Sequence, residues 1–105
     1  MAFLGRGKKE DPLELMRQGK FKQAVKLLEE KLKQNPHEFS LKVRLAEAYE
    51  GDKRKGDAAQ IYMKEAEVRL AAGELSDAVA MLKKAVRLTP ENQFLVERLA
   101  QLERA

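Results

Sequence analysis

The chain has 105 residues, 36% charged and 44% hydrophobic, with a formal net charge of +4. That length suits one domain and is short for two, and the few Gly (six) and Pro (three) argue against a disordered or low-complexity chain. No Cys and a single His exclude disulfides and thiolate metal sites, and a cluster of imidazole ligands cannot be assembled.

The opening MAFLGRGKK has only a short apolar stub before its basic residues. It is no secretory signal. No apolar run approaches the ~20 residues of a membrane span, so a cytoplasmic setting is the default expectation, with Met1 as a native N-terminus. Residues 1–10 read as a flexible tail. Insertion of Phe3 and Leu4 into a membrane, helped by Arg6, Lys8 and Lys9, is opposed by Glu10 and Asp11 and comes out marginal. Ala2 excludes myristoylation, which needs Gly there.

From Asp11 onward every segment has helical periodicity and none alternates like a strand. Asp11-Pro12 is a start signal for a short helix to about Gln18, which Gly19 breaks. A second helix over about Lys20–Gln34 carries Phe21, Ala24, Val25, Leu28 and Leu32 on one face, and Asn35-Pro36 ends it. A third over about His37–Glu50 carries Leu41, Leu45, Ala46 and Tyr49, and the stretch Gly51–Gly56 reads as a loop. A fourth over about Asp57–Ala72 groups Ala58, Ile61, Tyr62, Ala66 and Leu70 before Gly73. A fifth ends near Leu88 at Thr89-Pro90, and a sixth spans about Glu91–Arg104. Turns this short make neighbours antiparallel, so the expected fold is all-α, a stack of helical hairpins over residues 11–105.

A shift of 54 positions, which separates Gly19 from Gly73 and Pro36 from Pro90, also superposes Ala24 on Ala78, Val25 on Val79 and Leu28 on Leu82. It places Leu41, Arg44, Leu45 and Ala46 on Leu95, Arg98, Leu99 and Ala100. Small and apolar residues recur together with the punctuating Gly and Pro, as they must if two hairpins pack alike. At these residues the chain resembles the tetratricopeptide repeat family, whose unit is a helical pair of about 34 residues. Leu45, Ala46 and Tyr49 stand at the family's L-G-x2-Y positions; Gly19, Ala24, Leu28 and Pro36 fit the following helix, as do Gly73, Ala78, Leu82, Ala85 and Pro90.

The family's Trp position holds Lys42 in the third helix, and Tyr62 could fill it in the fourth. One strict period after Pro36 falls on Leu70, where there is no Pro, so either the fourth helix is shared between pairs or the repeat is irregular. The first helix is truncated at Pro12.

The resemblance implies a short right-handed superhelix of about six helices and a non-enzymatic adaptor or scaffold, which holds a peptide or helix of another protein in a concave groove. The chain could be the N-terminal part of a larger protein. Carried over by position, Ser40, Val43, Arg44, Glu47 and Glu50 of the third helix would line the groove. Gln60, Met63, Lys64, Glu67 and Leu70 would line it if the fourth acts as a first helix. Val43, Glu47, Met63 and Glu67 stand where some members carry the Lys and Asn that hold chaperone carboxylate tails, so that activity is not implied.

Catalysis finds little support. His37 is isolated at a helix start, carboxylates alternate with Lys and Arg, and GDKRKGDA matches no phosphate loop. No cofactor and no metal is expected. A nucleic-acid reading would use Lys20, Lys22, Lys26, Lys31, Lys33 and Lys53-Arg54-Lys55, but 21 Lys and Arg interleave with 17 Asp and Glu, as on a solvated helical surface. The last helix is apolar beyond one stripe. Phe94 and Val96 either contact a further domain, a partner or a second copy of the chain, or fold back on the adjacent turn.

Overall fold

The computed structural model describes residues 10–105. The tail readings for residues 1–9, including the membrane contact of Phe3 and Leu4, lie outside the described residues. The described residues form six helices: α1 (Pro12–Arg17), α2 (Phe21–Gln34), α3 (Phe39–Gly51), α4 (Lys55–Ala71), α5 (Leu75–Leu88) and α6 (Gln93–Arg104).

The Asp11 carboxylate caps α1 by accepting from the Leu13 amide at 3.1 Å, and Asn92 caps α6 by accepting from the Leu95 amide at 3.3 Å. Gly19 and Gly73 end α1 and α4 with φ of 77° and 81°. The Lys20 amide reaches back to the Leu15 carbonyl (2.8 Å) and the Glu74 amide to the Arg69 carbonyl (2.9 Å). Both turns are therefore Schellman caps, in which the left-handed residue lets the chain satisfy the last carbonyls.

The turn after α3 has the same form without Gly. Lys53 takes φ of 64°, and the Arg54 amide donates to the Tyr49 carbonyl at 2.8 Å. The loop expected over Gly51–Gly56 shrinks to Asp52–Arg54, because Gly51 closes α3 and Gly56 already lies in α4. Gly51 makes room rather than a turn: a Cβ there would overlap the Phe21 ring. At the other end α3 starts two residues later than expected. Asn35–Glu38 is a hydrogen-bonded turn (Glu38 amide to Asn35 carbonyl, 3.1 Å), matched by Thr89–Asn92 (3.0 Å).

The residue positions settle the register of the fourth helix. Gly19 and Lys53, the left-handed residues before α2 and α4, are separated by the ~34 residues of one repeat unit. α4 therefore begins as the second helix of a pair and, since it runs on to Gly73, ends as the first helix of the next. The bounds of α2 and α5 differ by the same 54 positions as the sequence match, and so do the starts of α3 and α6. That displacement spans three helices.

Each helix packs chiefly on its chain neighbours, and α4 on α5 most extensively. Ion pairs link helices two apart: Arg87 of α5 to Glu50 of α3 (3.7 Å) and Arg98 of α6 to Glu67 of α4 (2.9 Å). The stack thus has two layers, α1, α3 and α5 against α2, α4 and α6. An odd displacement puts the repeated hairpins in opposite layers. The molecule is elongated, 59 × 27 × 17 Å.

The seam between the layers is built from Ala24, Ala46, Ala48, Ala58, Ala66, Ala78 and Ala85, all 0% exposed. Such small residues let helices approach closely while Leu28, Tyr62 and Leu82 fill the space between them. No helix among the described residues is long and apolar enough to cross a membrane.

Candidate functional site

α4 organises the surface because it faces neighbours on three sides. Ala58, Tyr62 and Ala66 point inward. Rotation by 100° per residue puts Ile61, Glu65 and Val68 on the flank toward α2, and Gln60, Met63 and Glu67 on the flank toward α6.

On the α6 flank, Gly56, Ala59, Gln60 and Met63 share a hollow of about 130 Å³ with Thr89, Asn92 and Leu95. Met63 is half-buried against the core, whereas Gln60 is exposed. The polar rim is already engaged, since the Thr89 hydroxyl donates to the Ala85 carbonyl (3.0 Å) and Asn92 caps α6. One turn on, Glu67 accepts two hydrogen bonds from Arg98, each 2.9 Å. That guanidinium holds the Glu67 carboxyl below the usual carboxylate range.

On the α2 flank lies a cleft of about 360 Å³ lined by Leu32 of α2, Lys42 and Leu45 of α3, and Ile61, Lys64, Glu65 and Val68 of α4. At its floor Glu65, 4% exposed, pairs with Lys42 at 3.2 Å.

The remaining candidates lie on α3. The Ser40 hydroxyl donates to Glu38 (3.0 Å) and Arg44 pairs with Glu47 (3.0 Å). Ser40, Arg44 and Glu47, at i, i+4 and i+7, form a stripe turned away from the buried Leu45 and Tyr49; Val43 is half-buried beside it. Glu50 is turned into the stack, where it accepts from the Tyr62 hydroxyl at 2.7 Å. Leu70 is half-buried against the core.

The structure thus brings Gln60 and Met63 together, ties Glu67 to α6, and places Lys64 in the cleft toward α2. No hydrogen bond or ion pair among the described residues joins the α3 stripe to the α4 set. On α6, Phe94 is 66% exposed and Val96 is half-buried.

The cleft and its Lys42–Glu65 floor were not foreseen from the sequence. The one available signal was spacing: Glu65 stands three residues after Tyr62 and four after Ile61, on the apolar side of α4. Among interleaved charges it reads as one more solvated carboxylate. Chemically the surface offers paired ions and apolar hollows. Among the described residues no group of three or more His, Cys, Asp or Glu is placed to hold a metal.

No curated protein matches the chain. Residues 15–64 match the family model described as Tetratricopeptide repeat. The match runs from α1 to the second half of α4, the stretch in which left-handed turns recur one repeat unit apart. Over residues 15–64 the chain is therefore similar to the tetratricopeptide repeat family, a family of protein-interaction repeats.

Proposed function

We propose that the chain is a non-enzymatic protein-interaction module, an adaptor or scaffold that holds a peptide or helix of a partner on the surfaces of α3 and α4. The observation that carries this reading is the tetratricopeptide match over α1–α4, on a stack that presents side chains from rigid helices. The contact residues proposed are Ser40, Val43, Arg44 and Glu47 on one layer, and Gln60, Met63, Lys64 and Glu67 on the other. The two sets lie on different helices, so they are tested apart.

The test is capture of interacting proteins from lysate by the parent chain and by the separate variants Val43→Glu and Met63→Glu. A protein retained by the parent and lost by one variant supports the reading and names the layer. Identical sets retained by all three would remove these residues from the interface. A second reading, self-association through α6, is favoured by the exposed Phe94. It predicts a dimer in sedimentation that Phe94→Glu dissolves; a monomer at all concentrations would dispose of it.

A further inference from the structure

We infer that the cleft between α2 and α4 is a second docking surface, and that its occupant is an acidic amphipathic segment of a partner protein. The inference rests on the interaction reading above and uses another flank of α4, with Lys64 shared between the two sets. The family resemblance points to the first helix of each pair, whereas this cleft opens between α2 and the α4 flank that carries Ile61, Glu65 and Val68.

The walls are apolar where they face each other. Leu32, Leu45, Ile61 and Val68 line a cleft of about 360 Å³, within the range of ~300–1,000 Å³ typical of ligand pockets. Val68, at the lip, is 54% exposed, although a β-branched side chain gains by burial.

The charge around this apolar strip is one-sided. The one carboxylate on its walls, Glu65, is already paired with Lys42 (3.2 Å). Outside the lining, Asp57 of α4 pairs with Arg54 (2.8 Å) and Glu29 of α2 accepts from the Tyr49 hydroxyl (2.9 Å). Lys64, in the cleft wall, is exposed and has no ion pair among the described residues. Lys33 is likewise exposed and unpaired. It follows Glu29 by one turn and Lys22 by three on the same stripe of α2, and both of those reach toward α3 and the turn after it: Glu29 to Tyr49, and Lys22 to Asp52 (3.0 Å).

An occupant must therefore present apolar side chains to the strip and carboxylates to Lys33 and Lys64. Apolar side chains at i, i+3 and i+4 with Glu or Asp between them satisfy both demands. Nucleic acid satisfies only the charge.

The test is titration of the isotopically labelled full chain, followed by amide NMR and by anisotropy, with a synthetic peptide carrying Leu at i, i+3 and i+4 spacing and Glu between. Three comparison probes are the same peptide with Lys for Glu, the same with Ser for Leu, and an oligothymidylate of similar length. The expected result is that the first peptide shifts the Leu32, Ile61 and Val68 amides. Affinity should fall by about tenfold or more for either altered peptide, and likewise in Val68→Glu and in Lys64→Glu. Both replaced side chains are exposed, so the fold is not at stake.

No shift of those amides at millimolar peptide would overturn the inference. So would equal binding of the Ser peptide or the oligonucleotide, which would make the surface a purely electrostatic one. Assembly of the chain alone that Val68→Glu abolishes would assign the cleft to a second copy and overturn it as well. Shifts confined to α3 or to the Met63 hollow would sink the cleft while leaving the interaction reading standing.

Discussion

The hydroxyl of Tyr62 on α4 donates to the Glu50 carboxylate on α3 at 2.7 Å, while the rest of Tyr62 is 1% exposed. Arg87 of α5 lies 3.7 Å from the other Glu50 oxygen, so one carboxylate joins three consecutive helices. Burial, reinforced by Glu50, pushes the Tyr62 phenol above its ordinary value of 10.0.

This raised value has a signed consequence. The folded chain holds the phenolic proton to higher pH than the unfolded chain does. The stability linked to that proton is complete below the ordinary tyrosine value of 10.0 and is lost as pH rises through the folded value. Denaturant midpoints should therefore fall on the alkaline side of that point, and less steeply in Tyr62→Phe. At neutral pH Tyr62→Phe should cost about 1 kcal/mol, the worth of one hydrogen bond. An unchanged alkaline slope in Tyr62→Phe would show that other groups set it; Tyr49, raised by burial and Glu29, is the next to test.

Lys53 holds a left-handed φ of 64° in a turn whose counterparts use Gly19 and Gly73. Left-handed backbone costs a side-chain-bearing residue about 1–2 kcal/mol. Gly gives back part of that gain through a freer unfolded chain, about 0.4–1 kcal/mol. Lys53→Gly should therefore stabilise the protein by about 0.5–1 kcal/mol in chemical denaturation, after both effects. A destabilised variant would mean that the Lys53 side chain contributes something its exposed position does not reveal.

Gly51→Ala tests the packing of α3 on α2. In an exposed helix the change to Ala is favourable by about 1 kcal/mol. Here the new Cβ overlaps the Phe21 ring, and overpacking costs about 1–3 kcal/mol. Net destabilisation is expected, and Phe21→Leu combined with Gly51→Ala should recover part of it. A double-mutant cycle of urea midpoints measures the coupling; strict additivity would show that the ring moves aside freely.

The Lys42–Glu65 pair should behave asymmetrically. Lys42→Met leaves the Glu65 carboxylate, 6% exposed at its side chain, without its partner. Removing one member of a buried pair costs about 3–5 kcal/mol, and the partial exposure of Lys42, 26% at its side chain, puts the loss at or below the lower end. Lys42→Met with Glu65→Leu should restore most of that loss, because the apolar pair fits the walls of Leu32, Leu45 and Ile61. Thermal melts of the two variants decide it: a double variant no more stable than Lys42→Met alone would show that the pair positions the helices.

The sequence by itself determined the elements and their order. Asp11-Pro12, Gly19, Asn35-Pro36, Gly73 and Thr89-Pro90 act through backbone geometry confined to a few residues. The helix ends they mark therefore fall within two residues of expectation. The Ala and Leu stripes determined which face of each helix is buried, because helical spacing alone puts Ala24 beside Leu28 and Ala78 beside Leu82.

Only the tertiary structure decided the rest. Gly51 read as a loop residue because its neighbour in space, the Phe21 ring, is distant in the chain. Lys53 was not foreseen as the left-handed residue, because packing on both sides of the turn enforces a conformation its side chain disfavours. The α4 register and the burial of Glu65 both depend on which layer each helix enters. Local signals specify where a helix stops and which stripe is apolar. Which two helices then lie on either side of that stripe follows from the packing of the whole stack, and that set the cleft between α2 and α4.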